Sequence, residues 1–407
     1  MQKWNRLESP PHPHETHAPS PQSSKRSKKA EPSPLFVKPN FPQEIILEIF
    51  SNLPVGSLLR FRCLSKSCKS FIADPFFIKK HLVKTQNDDP KFTKERVLLY
   101  ACDSRNSNSY RSCSLNAVCK DPFIDSIEVA YPSKEFHSFD RILGSCNGLI
   151  CIHSRDTHFL FNPTLGIDKR LPDLGFKRRG LFRTVYGLGY DASLDDYKVV
   201  RVFTPQINGF EYASKSIVRV YSWRTNSWRR IQDLALGAPF DETGKYVDGS
   251  LNWSAFRRQE TGFSWIIVSL DLAKETFKEV LQPCYGNGVS DKSLGLLNGC
   301  LCVFCNYGEL YIDVWVMREY GKIESWTKLF TIPYLSGPGF ELFSTSKPLY
   351  VSGSDEILLH IGVKLILYNP KENTFRVPVI DEDHIFYMFQ SAIYVESLVS
   401  PFVINHH

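Results

Sequence analysis

The feature that most constrains the fold is an internal repeat between residues 161 and 378. In three copies an apolar residue ends a strand-like stretch, a polar turn follows, and seven residues later an aromatic side chain precedes Arg or Lys. These copies are YSWRTNSWRRI (221–231), LDLAKETFKEV (270–280) and YNPKENTFRVP (368–378). The pattern predicts a β-hairpin in which the two large side chains, such as Tyr221 and Trp228, face each other across the strands.

Two further copies are less regular. WVMREYGKIESWTKLF (315–330) has a longer turn, for which we predict a pairing of Trp315 with Trp326. FNPTLGIDKRLP (161–172) has Asp168 at the aromatic position. In the tight turns Gly166, Asn226 or Asn373 can supply the residue with positive φ that closes the loop.

A second repeated element, a glycine turn followed by a strand, precedes four of the five hairpins. Its copies are CNGLICI (146–152), VDGSLNW (247–253), LNGCLCV (297–303) and VSGSDEILL (351–359). The hairpins recur every 45 to 60 residues, an interval that suits the four-stranded blade of a β-propeller. We therefore predict an all-β propeller of about six blades over residues 95–402. Residues 95–130 and 384–399 together would supply the blade that closes the ring, and a pair of β-sandwiches is the weaker alternative.

The segment before the propeller has a different character. Residues 1–40 contain eight prolines and few bulky apolar side chains, which predicts a disordered tail. Residues 41–82 carry apolar stripes at helical spacing and predict three short helices, with Ser57 capping the second and Asp74-Pro75 opening the third. Residues 83–94 would form a polar linker. SKRSKK (24–29) is either a nuclear import signal or a solvated charge run, so we expect the protein in the nucleus, the cytoplasm or both.

Composition and motifs exclude several classes of function. The net charge is +6, and the basic tail accounts for most of it, which argues against nucleic acid as a partner. No apolar run is long enough to predict a membrane span. The sequence lacks the nucleotide-loop, zincin and hydrolase motifs, and we expect no catalytic residue, cofactor or metal. The thiols of CLCVFC (300–305) are better explained as alternate strand residues than as zinc ligands, and the acidic pairs at 195–196 and 381–383 as turn residues.

Residues 41–82 contain the pairs Phe41-Pro42, Glu48-Ile49, Leu53-Pro54, Pro75-Phe76 and His81-Leu82. In these features the segment closely resembles the F-box motif. Ser65 and Cys68 depart from the residues that are frequent at those positions in the family, Cys and Trp. The resemblance implies that the helices dock on an SKP-type adaptor. The residues that we expect on the docking face share an apolar character and are Pro42, Ile45, Ile49, Leu53, Pro54, Leu58 and Phe61.

The following region contains the motifs SCNGLICI (145–152), GLGYDASLDDYKVVRV (187–202) and LILYNPKENTFRVP (365–378). In these motifs it resembles the plant F-box-associated, kelch-like interaction domain. Together the two resemblances imply a substrate receptor of an SKP–cullin–F-box ubiquitin ligase, whose propeller holds an unknown target protein. The alternatives are a propeller that binds a small ligand without a ligase and a glycoside hydrolase with paired carboxylates.

Two loops combine Arg with aromatic or apolar side chains, as interface hot spots do. They are KRRGLFR (177–183) and FRRQETGF (256–263). We expect the target to contact these loops through Arg178, Arg179, Phe182, Arg257 and Arg258. For either loop taken alone, a solvated loop without a binding role is the better explanation. The binding hypothesis is stronger only if both loops lie on one face of the propeller.

Overall fold

A computed structural model describes residues 42–87, 95–102, 108–130, 140–154, 157–174, 181–208, 211–213, 215–241, 243–308, 310–334, 347–381 and 387–403. The predictions for the tail, for residues 88–94 of the linker and for Arg178 and Arg179 lie outside these residues. None of the helices in the described ranges has the length and apolar character needed to cross a bilayer. The packing reported below belongs to the compact unit Leu47–His407.

The helical segment has four helices rather than the three predicted: α1 (Gln43–Ser51), α2 (Val55–Phe61), α3 (Lys66–Ile72) and α4 (Pro75–Asn87). The predicted second helix is broken because Ser65 adopts an extended conformation and its side chain accepts a hydrogen bond from the Cys68 N–H at 3.0 Å, which caps α3. The predicted cap, Ser57, lies inside α2. Asp74 caps α4 as predicted by accepting from the Phe77 N–H at 3.1 Å. Helix α4 also continues into the predicted linker.

The remaining described chain contains one short helix, α5 (Leu115–Lys120), and many strands. In chain order the strands are β1 (Glu95–Cys102), β2 (Asn108–Ser114), β3 (Phe123–Ile124), β4 (Ile127–Val129), β5 (Arg141–Cys146), β6 (Leu149–Ser154), β7 (Thr157–Asn162), β8 (Ile167–Arg170), β9 (Phe182–Asp191), β10 (Asp196–Asn208), β11 (Glu211–Tyr212), β12 (Ile217–Ser222), β13 (Ser227–Arg230), β14 (Ala238–Pro239), β15 (Lys245–Val247), β16 (Ser250–Gln259), β17 (Gly262–Asp271), β18 (Thr276–Val280), β19 (Asp291–Leu297), β20 (Cys300–Asn306), β21 (Tyr311–Met317), β22 (Trp326–Pro333), β23 (Lys347–Val351), β24 (Ile357–Ile361), β25 (Lys364–Asn369), β26 (Thr374–Arg376), β27 (Val379–Ile380) and β28 (Tyr387–Val395).

These strands form a six-bladed propeller, as predicted. From the inner to the outer strand, blade 1 is β28-β1-β2-β4, blade 2 is β5-β6-β7-β8 and blade 3 is β9-β10-β12-β13, with β11 beside β10. Blade 4 is β15-β16-β17-β18 with β14 beside β16, blade 5 is β19-β20-β21-β22 and blade 6 is β23-β24-β25-β26. A short parallel pair joins β27 to β3.

The last strand closes the ring. Strand β28 pairs antiparallel with β1, from Glu95 opposite Val395 to Cys102 opposite Tyr387. The two ends of the propeller sequence therefore share blade 1, as the sequence predicts. Six hydrophobic clusters fill the spaces between successive blades, and the one between blades 6 and 1 joins Leu358 and Leu367 to Val97 and Leu99. The apolar face of each blade is thus buried only against its neighbours.

The hairpin repeat is formed by the two outer strands of five blades. Tyr221 lies opposite Trp228, Leu270 opposite Phe277 and Tyr368 opposite Phe375, while Phe161 lies opposite Asp168. Positive φ values at Gly166, Asn226 and Asn373 confirm the predicted turn chemistry. The prediction for blade 5 was wrong: Trp326 lies opposite Met317 and Trp315 opposite Lys328. A register shift between Val314 and Trp315 and a 3-10 turn at Ile323–Ser325 account for the difference.

The two ends of the propeller differ, and we name them by their turns. The near end carries the tight turns at 147–148, 163–166 and 192–195, and the far end is where β9 begins at Phe182. Helices α2 to α4 pack at the near end, because their buried Leu58, Ile72 and Phe77 share a cluster that Leu165 of the 163–166 turn also contacts. An exposed ion pair of 3.5 Å between Lys79 and Asp195 lies at the same end.

Candidate protein-interaction sites

The structure divides the residues predicted to dock on the adaptor into two groups. Pro42 and Pro54 are exposed, and the side chains of Ile45 and Ile49 in α1 are 46% and 51% exposed. Leu58 is fully buried and belongs to the core of the helical segment, so the prediction that it lies on the docking face was wrong. Its position in the apolar stripe is explained by packing between helices, which has the same spacing as a docking face.

Leu53 and Phe61 are half-buried and serve partly in internal packing. The Phe61 ring stacks on Phe50 at a centroid distance of 5.5 Å. The carbonyl of Leu53 is bonded to Nε2 of the buried His81 at 2.9 Å, which holds the turn between α1 and α2 against α4. Leu64 and Phe76 are 70% and 69% exposed, although sequence reasoning did not select them.

Electrostatic contacts fix α1 against α4. Glu48 accepts a hydrogen bond from Lys84 at 2.8 Å, and Lys80 lies 3.7 Å from the same carboxylate. The bonds from Lys84 and Asn52 lower the pKa of Glu48. Glu48 is exposed and the two lysines are partly exposed, so the contribution of the ion pairs to stability is small. Their effect is to orient α1, which presents Ile49 outward.

The segment that follows β28 forms the joint between the helices and the propeller. Leu398 is 5% exposed and lies in the same cluster as Val55, Leu58, Ile72 and Phe77, and Val399 lies in the cluster between blades 2 and 3. The buried Asn162 amide donates to the carbonyls of Ser397 at 3.1 Å and Val399 at 2.7 Å. Trp223 Nε1 donates to the Pro401 carbonyl at 2.8 Å.

These contacts assign a structural role to two repeated motifs. Asn162 belongs to the Asn-Pro turn of blade 2, and its side chain satisfies backbone carbonyls that would otherwise be buried without donors. Gly148 of the Asn-Gly turn has φ +83°, and a Cβ there would lie 2.7 Å from the Val395 carbonyl oxygen. Glycine therefore allows the close approach of the C-terminal segment, which we call the C-terminal joint (residues 396–403).

A buried ion network links blades 3 and 4 near the same end. Lys198 is 2% exposed, and its ammonium donates to Asp191 at 2.8 Å, to the Leu272 carbonyl at 2.5 Å and to Glu275 at 3.1 Å. Arg229 also pairs with Glu275. Burial works to raise the pKa of Asp191 and of Glu275, but the bonds from Lys198 and their other donors lower both pKa values overall. The network gives the DYKVV motif a structural function.

The described parts of the two loops predicted to bind the target, residues 181–183 and 256–263, lie at the same end of the propeller. Trp253 Nε1 in β16 donates to the Tyr186 carbonyl in β9 at 2.9 Å, and Thr243, just before β15, forms a parallel bridge with Tyr186. Strand β16 therefore runs antiparallel to β9. Phe182 precedes Tyr186 by four residues and Arg257 follows Trp253 by four, so both lie about 13 Å beyond this contact toward the far end.

The environment of these residues differs from loop to loop. Leu181 is 72% exposed and Phe182 half-buried. Arg257 is half-buried, pairs with Glu279 and donates to the Leu236 carbonyl at 3.1 Å, whereas Arg258 is exposed. The charge of Arg257 is therefore already compensated within blade 4.

Sequence reasoning selected the 256–263 loop but missed the larger aromatic surface between blades 4 and 5 at the far end, to which this loop contributes Phe256 and Phe263. Its members have large side chains and lie close to the beginnings of β17 and β19. We define the aromatic surface as five aromatic residues and one adjacent lysine: Phe240, Phe256, Phe263, Trp265, Tyr285 and Lys292. The rings of Phe240 and Phe256 are stacked, with 4.4 Å between their centroids, and the centroid of the Phe263 ring lies 6.5 Å from that of Phe256. No single motif marks this surface, because its residues come from five separate segments.

The groups considered for catalysis have structural partners instead. Asp196 accepts from Ser222 Oγ at 2.6 Å and from the Arg224 N–H at 2.9 Å, and Asp195 accepts from Tyr190. Asp381 pairs with Arg111 at 3.0 Å, while residues 382 and 383 lie outside the described ranges. Burial raises the pKa of the Cys302 thiol, and no cluster of His, Cys, Asp or Glu in the described part of the chain could hold a metal ion.

A helical domain with an exposed isoleucine face, joined to a six-bladed propeller, defines the class of F-box proteins with a propeller interaction domain. The F-box domain family matches residues 39–80, and the F-box associated beta propeller domain family matches residues 93–404. The chain belongs to the family of proteins with an F-box associated beta propeller domain.

Similar proteins occur in Arabidopsis thaliana. F-box/kelch-repeat protein At3g23880 is 31% identical over 376 residues, which cover 90% of this chain and 97% of that protein. F-box protein CPR1 is 33% identical over 365 residues and covers 83% of this chain and 84% of its own. Among solved structures, an oligogalacturonate lyase from Vibrio parahaemolyticus aligns over 70% of this chain and 74% of its own with a TM-score of 0.38 and 10% identity, which carries no argument about function.

Proposed function

We propose that the protein is the substrate receptor of an SKP–cullin–F-box ubiquitin ligase and performs no covalent chemistry itself. The observation that carries the proposal is the exposed apolar face of α1, with Ile45 and Ile49, on an F-box that is joined to a propeller. An F-box is the domain that binds SKP-type adaptors, and a cullin is reached through the adaptor. The receptor contributes proximity, since it raises the effective concentration of a target near the conjugating enzyme.

The arrangement of the two ends supports this role. The F-box helices from Leu47 onward pack at the near end, and the loops at 181–183 and 256–263 lie at the far end. We propose that the target binds at the far end and contacts Phe182, Arg257 and Arg258. Arg178 and Arg179, which lie outside the described residues, are proposed as part of the same contact. A location in the nucleus or cytoplasm fits the eleven free cysteines, because these compartments keep thiols reduced.

Adaptor binding is tested by Ile49→Asp in the full-length chain. A stable interface buries about 1,200–2,000 Å², and a carboxylate at its centre should weaken binding by about 30-fold or more. Ile323→Asp is the matched control, since Ile323 is 46% exposed on a turn of blade 5. Co-purification of the SKP-type adaptor should be lost in the first variant and kept in the second. Undiminished adaptor binding by Ile49→Asp would contradict the proposal.

Target binding is tested by paired charge reversals. Arg178 and Arg179 are changed to Glu in one variant, and Arg257 and Arg258 in another, and partners are captured from cells in which the ligase is blocked. Like charges placed across an interface cost several kcal/mol, so either pair should lose the target if it lies in the contact. If both variants retain every partner and deletion of residues 1–40 loses them, the tail recognises the target.

A further inference from the structure

The aromatic surface between blades 4 and 5 indicates what kind of target segment the protein binds. This inference rests on the proposed receptor function. We propose that it binds a segment in which an acidic residue lies beside a large apolar residue. The carboxylate would pair with the Lys292 ammonium, and the apolar side chain would pack on Phe256 and Phe263. The evidence comes from the exposed rings and from an ammonium group that has no carboxylate partner among the described residues.

The exposed rings form a continuous apolar patch. Phe256 is 41% and Phe263 64% exposed, and the two rings are in edge contact. Phe256 lies directly opposite Trp265, and Arg258 directly opposite Phe263, so all four side chains share one face of the β16–β17 hairpin. Clustered exposed aromatic rings beside a positive charge are typical of protein-binding surfaces and uncommon elsewhere.

Lys292 is held by aromatic rings rather than by an acid. Its Nζ lies 4.8 Å from the centre of the Tyr285 ring and 5.3 Å from that of Trp265. It is also 3.4 Å from the Tyr285 hydroxyl and 3.5 Å from Gln282 Oε1. The neighbouring Asp291 accepts from the Lys292 backbone N–H at 2.8 Å, and no ion pair of the Lys292 ammonium occurs among the described residues. Burial lowers the pKa of Lys292, as expected for a partly desolvated cation.

Trp265 contributes its ring to this site rather than its indole N–H. The side chain is 8% exposed, and the N–H, which has no acceptor in the part of the chain that the structure describes, is too deeply buried to reach a docked segment. The Lys292 ammonium therefore lies beside a buried aromatic ring. A carboxylate pairs with such a partly desolvated cation more favourably than a neutral carbonyl does.

The surface is preorganised by contacts from behind. Gln282 Nε2 donates to the Trp265 carbonyl at 2.7 Å, and Tyr307 donates to the Tyr285 carbonyl at 2.6 Å. Trp326 Nε1 donates to the Leu281 carbonyl at 2.9 Å. The connection between β18 and β19 is thereby fixed on both sides, so little ordering would accompany binding.

The test is a selection of peptides by charge. A library of random twelve-residue peptides displayed on phage is panned on the full-length chain, on Lys292→Glu and on Lys364→Glu. Lys364 is exposed in the β24–β25 hairpin at the far end, so its reversal changes the net charge equally without touching the aromatic surface. The wild-type chain and Lys364→Glu should enrich Asp or Glu within two positions of Phe, Leu or Trp by at least about tenfold over the unselected library.

Lys292→Glu should lose this enrichment or select Lys and Arg instead. Phe263→Ser, at an exposed position, should remove the requirement for the apolar residue and keep the fold. If Lys292→Glu melts at a lower temperature than the wild type, Lys292→Gln replaces it and should lose the preference for acidic residues. Identical acidic enrichment by the Lys292 variants, or none by the wild type, overturns the inference. Adaptor co-purification is measured separately, so failure of the ligase role remains distinguishable.

Discussion

Leu398→Ala should release the F-box helices from the propeller without unfolding the ring. Leu398 is 5% exposed and packs with Val55, Leu58, Ile72 and Phe77, so the substitution removes three carbon atoms from the joint between the two parts. Leu→Ala changes at such sites cost about 2–5 kcal/mol, and more when the cavity cannot collapse. Because the hydrogen bonds of Asn162 to Ser397 and Val399 remain, we expect the loss to fall mainly on the helical side of the joint.

Amide hydrogen exchange followed by mass spectrometry measures this effect segment by segment. Exchange in helices α2 to α4 should accelerate by about 30-fold or more, which corresponds to the lower limit of about 2 kcal/mol. Exchange in β16 and β17, on the opposite side of the ring from blade 1, should not change.

The control is Leu365→Ala, which removes an equally buried leucine between blades 6 and 1. It should lower the stability of the ring, and exchange in helices α2 to α4 should accelerate no more than exchange in the blades. If Leu398→Ala accelerates exchange uniformly over the whole chain, the helices and propeller unfold together and the joint is not a separate element. If it leaves α2 to α4 unchanged, the buried contacts of Leu398 do not stabilise the F-box.

Two further predictions concern the ion network and the glycine turns. Lys198→Met should lower the free energy of unfolding, measured by denaturant titration, by about 3–5 kcal/mol, because Asp191 is then left buried without its cation. The double variant Lys198→Met with Asp191→Leu should recover part of this loss. In the wild type the pKa values of Asp191 and Glu275 lie below their values in the unfolded chain. The stability that these two carboxylates contribute is therefore fully present above the unfolded pKa and is lost as the pH falls through the folded pKa. Lys198→Met should therefore show a shallower loss of stability in acid, and an unchanged acid profile would exclude this role. Gly148→Ala should destabilise the protein by about 1–3 kcal/mol more than Gly249→Ala in thermal melts. Both glycines have positive φ, but only a Cβ at position 148 would collide with the C-terminal joint. Equal effects of the two substitutions would show that the close approach at Gly148 has no energetic cost.

The local chemistry of the repeats could be predicted from the sequence because it depends on residues that are close along the chain. Tyr221 and Trp228 face each other because a tight turn with a positive φ at Asn226 leaves few alternative registers. The predicted pairing failed at Trp315, because the longer turn of this copy allowed a shift of register that the local sequence does not indicate. The six-blade ring was predicted from the repeat interval, since each copy can bury its faces only against neighbouring copies.

The candidate interaction sites needed the tertiary structure. An apolar stripe is the same whether it packs on a neighbouring helix or on a partner, so only the burial of Leu58 and the exposure of Ile49 separate the two uses. Leu398 and Phe77, more than 300 residues apart, lie in one cluster, and Phe256, Trp265, Tyr285 and Lys292 converge, because of ring closure and blade packing. The sequence alone determined the family, the blades and their turns, because these rest on local hydrogen bonding and side-chain periodicity. Only the tertiary structure decided which apolar and charged groups remain available to partners, because availability is what is left after long-range packing has buried the rest.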